Sequence, residues 1–161
     1  MAAIWEIRHA GLIALRLSGA WAGVLIEGAS GAGKSDLALR ALGEGFRLVA
    51  DDRTLVLVSA GSLYGRAPPT LAGLLEQRGL GVFCEASITV ARVALTVRCD
   101  SEPLRIERMP EPRRDHILGL AVPAIDLCPF EASAPAKLRR ALLHLGAEPR
   151  RAYQAPCARP A

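Results

Sequence analysis

The chain has 161 residues, a formal charge of +4 and a hydrophobic fraction of 51%. That length suits one domain around one core, and that composition excludes a largely disordered chain. The basic side chains are scattered, only Lys34 and Lys137 are lysines, and aromatics make up just 4%, so no basic-aromatic stripe for nucleic acid is present.

In chain order, "AIWEIRHAGLIALRLSG" reads as two strands, in a hairpin or a meander. "AGVLIEG" is a short buried strand ending in glycine. "SDLALRALGEG" places Leu37, Ala38, Ala41 and Leu42 at helical spacing and stops at Gly43 or Gly45. "FRLVA" and "TLVLV" are strands. After the loop "RAPPT", Thr70 is expected to cap a short helix, "LAGLLEQ", that ends at Gly79. "ITVARVALTVRC" alternates as a strand, "LRIERM" is read as another, and "EPRRDH" as a charged loop. "ILGLAVPAIDL" reads as a strand broken near Pro123. "SAPAKLRRALLHLG" is a helix capped by Ser133, with Leu138, Ala141, Leu142 and Leu145 on one face. Residues 146–161 lack periodicity and are expected to be a disordered tail behind a single domain over 1–145. The fold class is α/β, rich in strands.

Cys84, Cys99, Cys128 and Cys157 form no C-x-x-C pair, and His9, His116 and His144 do not approach them in metal-ligand spacing. Free thiols in a reducing compartment are expected. No apolar run is long enough to span a membrane. Glu6, Arg8 and His9 fall where a signal peptide would be apolar. The expectation is a cytoplasmic protein.

The chemistry concentrates between Gly28 and Gly81. Gly28-Ala29-Ser30-Gly31-Ala32-Gly33-Lys34-Ser35 fits G-x-x-x-x-G-K-[ST], the Walker A loop, with a strand before it and a helix after it. Such glycines let backbone N–H groups turn inward around phosphate oxygens. The helix N-terminus adds partial positive charge, the lysine a mobile charge, and the serine hydroxyl an oxygen suited to Mg²⁺.

"FRLVADD" ends the next strand in Asp51 and Asp52. One carboxylate there suits Mg²⁺ through water, and the other can accept a proton from an attacking hydroxyl. Asp is also common in plain turns after strands. "LLEQRGLG" adds Glu76 and Arg78, an acid for the metal and a guanidinium for phosphoryl oxygens. On spacing alone a charged helix end, with glycine as its stop signal, suits them better.

In these three motifs, "GASGAGKS", "RLVADD" and "EQRGLG", the sequence resembles the catalytic domain of HPr kinase/phosphorylase. "RHAG" before the loop resembles the His-Gly or His-Ala pair that opens a strand there in the family, and "PFEASAPAKLRRAL" near the end is similar to the ending of its short proteobacterial members. The resemblance covers roughly residues 4 to 145. It implies a P-loop-containing, strand-rich sheet with flanking helices, of the HPr kinase/phosphoenolpyruvate carboxykinase-like fold. It also implies an ATP- and Mg²⁺-dependent serine kinase acting on the phosphocarrier HPr of the sugar phosphotransferase system. In the reverse direction, inorganic phosphate removes the group and leaves as pyrophosphate.

Carried over by motif, Asp52 is the base for the serine and the acid in reverse, with Asp51 supporting it. Gly28 through Ser35 hold the phosphates, with Lys34 among them, and Ser35 and Glu76 serve Mg²⁺. Arg78 through Gly81 lie in the segment linked to both reactions, and His9 sits near the phosphates. The family forms hexamers, so a homo-oligomer is implied. "LRIERMPEPRRD" stands where the family has a Tyr-Asp-Arg segment, leaving Arg105, Arg108 and Arg113 open as that arginine. Two other readings compete: a small-molecule kinase of the shikimate-kinase type, and a nucleotide-sensing module that transfers nothing.

Overall fold

The computed structural model describes residues 4–146. The expected tail and Cys157 lie outside the described residues, apart from Gly146. The elements are β1 (Trp5–Arg8), β2 (Ala10–Leu17), β3 (Ala20–Glu27), α1 (Lys34–Leu42), β4 (Arg47–Ala50), β5 (Thr54–Ser59), β6 (Ser62–Arg66), β7 (Leu74–Gln77), β8 (Gly81–Cys84), β9 (Ala91–Cys99), β10 (Arg113–Ile117), β11 (Leu120–Leu127) and α2 (Ala134–Leu145).

The main sheet runs β1-β5-β6-β9-β3-β2-β4, and β11 joins it on β9 with β10 beyond. β9 is its hub. It runs parallel to β3 on one side. It also meets β6 at Ala91 and Arg92, antiparallel, and β11 from Thr96 to Cys99, parallel. β3, β9 and β11 therefore share a direction, and their C-terminal ends meet at one edge of the sheet. In open sheets that edge is where ligands gather.

β3 reads as an unbroken apolar run because both its faces are buried. Val24 and Ile26 face a cluster with Leu37, Ala38 and Ala41 of α1 and Leu138 and Leu142 of α2. Leu25 faces the other way, into a cluster with Val56, Leu63, Ile117 and Val122. The two helices thus pack on one face, through the stripes their spacing predicts.

Seven expectations are corrected. The opening strands do not pair with each other: β1 pairs with β5, and β2 with β3 and β4. The helix expected over Leu71–Gln77 is a 3-10 turn over Pro69–Leu71 followed by strand β7, paired antiparallel with β8. Gly73 at φ 75° ends the turn. Leu75 is then buried and Glu76 exposed, the alternation of a strand, while the apolar run "LAGLL" mimics helical spacing. Thr70 caps nothing, since Pro68 precedes the turn and no side-chain cap bond forms.

"LRIERM" is a 3-10 turn at Pro103–Arg105 and then irregular chain, whereas "RRDH" of the expected charged loop begins β10. Its charges are compatible with a strand because Arg113 pairs with Asp126 across β11 and Asp115 accepts a hydrogen bond from Thr96. β11 continues through Pro123, where it has β10 beside it and has not yet reached β9, whose pairing starts at Ala124. Finally, Ser133 occupies the N-cap position of α2 but makes no side-chain cap bond.

Candidate active site

The phosphate loop is the connection from β3 into α1. Gly28, Gly31 and Gly33 take positive φ values of 151°, 78° and 89°. A β-carbon on Gly33 would lie 2.9 Å from two ring carbons of Phe130, so conformation and space both require glycine there. α1 starts at Lys34 without a side-chain cap, which leaves its first N–H groups facing the loop.

Lys34 is nearly buried, and its Nζ donates to the carbonyls of Gly28 at 2.9 Å and Ala29 at 3.0 Å. The same nitrogen lies 3.3 Å from His9 Nε2. On its other side, His9 Nδ1 is 3.2 Å from Asp52 Oδ1. His9 thus bridges the loop lysine and the second aspartate. It is held there by its neighbour: Arg8 donates to Glu27 at 2.6 Å, tying β1 to the end of the loop strand. Burial works against the charge on Arg8, but hydrogen bonds to Glu27 and Glu6 outweigh it and raise its pKa.

The two aspartates have different surroundings. Asp51 is buried and accepts two hydrogen bonds, from Ser35 Oγ at 2.8 Å and from the Glu76 backbone N–H at 3.0 Å. Asp52 is half exposed, sits at φ 60° and faces His9. Turning into the left-handed region at this one residue sends the second carboxylate away from the first.

Glu76 ends up beside Asp51 because β7 passes the end of β4. "RGLG" is the hairpin turn between β7 and β8, with Leu80 N–H donating to the Gln77 carbonyl at 2.9 Å. Arg78 is exposed at this turn. A cleft of about 380 Å³ gathers His9, Lys34, Ser35, Asp52, Glu76 and Arg78. Asp51 lies behind Ser35 rather than on the cleft wall. Of the three open arginines, none lines the cleft; Arg113 is held by Asp126, a hydrogen bond that raises its pKa.

Among the described residues, no group of three or more His, Cys, Asp or Glu side chains is placed to hold a metal ion. The oxygens of Ser35 and Glu76, which both line the cleft, do suit a hard cation that keeps waters and shares phosphate oxygens. The arrangement can hold a polyphosphate at the loop, with a carboxylate and an imidazole at its mouth.

Sequence reasoning missed Phe130, which comes from the connection after β11 and lines the same cleft. It also missed the brace from Arg8 to Glu27. No sequence signal marks the first, because the loop motif already requires Gly33 and its contact with Phe130 is made only in the fold.

Cys99 lies under the loop: its carbonyl would be 3.0 Å from a β-carbon on Gly28. Burial pushes its thiol up to about 12, against the pull of Lys34 and with a smaller push from Cys128. Cys84 is exposed, while Cys99 and Cys128 are buried. In the native protein at pH 8, a thiol-alkylating reagent is expected to label Cys84 and to spare Cys99 and Cys128 until the protein is unfolded. Peptide mapping reads this directly, and fast native labelling of Cys99 would contradict its placement.

The profile of the HPr Serine kinase C-terminal domain family matches residues 6–93. An HPr kinase/phosphorylase of Leptothrix cholodnii is 38% identical over 112 residues, covering 62% of this chain and 34% of that protein. One from Lacticaseibacillus casei is 52% identical over 62 residues, covering 38% of this chain and 19% of that protein. The chain spans about a third or less of the length of these relatives. The solved Hpr(Ser) kinase/phosphatase of Coxiella burnetii has the same fold, with a TM-score of 0.72 at 24% identity over 86% of this chain and 91% of that one. By the family match over more than half its length, the chain belongs to the HPr serine kinase C-terminal domain family.

Proposed function

We propose that this chain is an ATP-dependent protein serine kinase that transfers the γ-phosphoryl group to a seryl hydroxyl of HPr, with residues 1–145 as its catalytic domain. The reverse phosphorolysis, phosphate in and pyrophosphate out, belongs to the same proposal. The observation that carries it is the placement of His9 between Lys34 and Asp52 at the mouth of the phosphate loop. A half-exposed carboxylate at that mouth can reach an incoming hydroxyl, which a buried one cannot.

In this reading the loop N–H groups and Lys34 bind the phosphates. Asp52 accepts the seryl proton as its oxygen attacks the γ-phosphorus, the bond to the β-phosphate oxygen breaks, and ADP leaves. In reverse, phosphate attacks the phosphoseryl phosphorus and Asp52 returns the proton to the serine oxygen. His9 orients Asp52. Arg78, on the hairpin across the cleft, faces the transferring oxygens. Asp51 fixes the Ser35 hydroxyl, and Ser35 and Glu76 would hold Mg²⁺. Held there, that ion would supply charge neutralisation at the phosphoryl oxygens.

The relatives named HPr kinase/phosphorylase support HPr as the acceptor. The functional assembly in this proposal is a homo-oligomer, and the place of work is the cytoplasm.

The test is a panel of acceptors. Purified protein is incubated with γ-labelled ATP and Mg²⁺ alongside HPr, shikimate or water alone. Label is expected on HPr only. Label on shikimate would favour the small-molecule kinase, and nucleotide binding with no transfer to any acceptor would favour a sensing module.

A further inference from the structure

Phe130 takes no part in the proton and phosphate chemistry, yet it stands at the cleft. β3, β9 and β11 are parallel neighbours, so the segment leaving β11 emerges on the same side of the sheet as the segment leaving β3. The phosphate loop continues from β3, and Cys128-Pro129-Phe130 continues from β11. The ring packs one edge on Gly33, the last loop glycine before Lys34. It is still 56% exposed and lines the cleft together with Leu39 of α1.

This segment is anchored. Arg40 of α1 donates through Nη1 to the carbonyl of Glu131 at 3.3 Å and through Nη2 to that of Pro129. Its Nε is fixed in turn by Asp36 at 2.9 Å. Lys137 pairs with the Glu131 carboxylate, and the N–H of Ala134 donates to the Glu131 carbonyl at 3.0 Å. These contacts together keep an apolar ring half in water at the rim of a phosphate site. An exposed, immobilised aromatic gains most from a flat apolar partner. The group attached to a triphosphate held at this loop supplies one.

We propose that Phe130 is the platform on which the base of a bound nucleoside triphosphate stacks. This rests on the reading of the loop as a nucleotide site and adds where the base lies. The phosphates sit over Gly28 to Ser35, and the nucleoside runs from them along Gly33 toward the end of β11. Recognition there is through the π face of the ring and the carbons of Leu39, so the platform serves the base and leaves the phosphates to the loop.

The experiment compares equilibrium binding of ATP and of inorganic tripolyphosphate, both with Mg²⁺, to the full chain and its variants. Removing a stacking side chain typically costs roughly five- to a hundredfold in affinity. Phe130→Ala is expected to weaken ATP by that factor and to leave tripolyphosphate unchanged, and retained tripolyphosphate binding shows that the loop is intact. Phe130→Leu keeps an apolar side chain against Gly33 and is expected to lose ATP affinity selectively as well, whereas Phe130→Trp keeps it. Equal losses for both ligands would make Phe130 a mere cover for Gly33 and overturn the proposal, as would unchanged ATP binding in Phe130→Ala. Lys34→Ala is the control for the loop itself and is expected to weaken both ligands. Failure of the unmodified protein to bind either ligand would remove the nucleotide reading together with this one, whereas tripolyphosphate binding that ATP does not exceed would remove only this one.

Discussion

Asp52→Asn is expected to lower phosphoryl transfer by about 10²–10⁴-fold, the usual worth of a positioned general base, while ATP affinity holds or rises. The backbone explains why the variant is a clean one. Asp52 sits at φ 60°, a region in which asparagine is among the tolerated residues, and its side chain is half exposed. The amide keeps the size of the carboxylate, loses the ability to accept the seryl proton, and removes a negative charge near the triphosphate. Both directions of the reaction are expected to fall together, since in the proposed mechanism one group serves as base and as acid.

Asp51→Asn makes the informative contrast. That carboxylate is buried and accepts from Ser35 and from the Glu76 N–H. An amide presents one oxygen to two donors and turns its own N–H groups on one of them. A cost of about 1–3 kcal/mol in stability is expected, which thermal unfolding measures, whereas Asp52→Asn leaves the unfolding midpoint near its original value. Single-turnover transfer beside ATP affinity, for both variants, separates the roles. Normal transfer by Asp52→Asn with failure by Asp51→Asn would reverse them.

The second large effect is expected at Lys34. Its ammonium lies at the centre of the loop, within hydrogen-bond reach of two loop carbonyls and of His9. Removing one preorganised charge from developing phosphoryl charge typically costs about 10²–10³-fold, and Lys34→Ala also loses ground-state contact with the phosphates. Transfer is therefore expected to fall below detection in a protein that stays folded, because the apolar contacts of α1 come from Leu37, Ala38 and Ala41. Lys34→Arg is not expected to restore it, since a planar guanidinium does not replace a compact ammonium in a hollow lined by carbonyls. Full activity in folded Lys34→Ala would remove the loop from the chemistry.

The sequence made legible what is local. The phosphate loop, its strand and its helix lie within one short segment, and the glycines and the apolar stripe of α1 carry their own conformational instructions. It was misleading where an apolar cluster had two solutions. "LAGLLEQ" fits a helix by spacing, and only pairing with Gly81–Cys84 makes it a strand. The charged "RRDH" became a strand for the same kind of reason, with Asp126 and Thr96 supplied from elsewhere in the chain.

The site divides in the same way. That Asp51 and Asp52 lie near the loop could be read from strand order. That Asp51 binds Ser35 while Asp52 turns to His9 depends on a single left-handed residue and on β1 being braced to β3, neither of which leaves a periodic signal. Phe130 reaches Gly33 from 97 positions later in the chain, a contact that only the parallel order of β3, β9 and β11 creates.

The central claim is that this chain places phosphate on a serine of HPr. The most direct measurement is phosphosite mapping of HPr after incubation with the protein, labelled ATP and Mg²⁺, with Lys34→Ala as the blank. The account predicts one acid-stable phosphoserine, absent in the blank and reversed on adding inorganic phosphate with release of pyrophosphate. Label on a histidine of HPr, or no label above the blank from a protein that binds ATP, would contradict it.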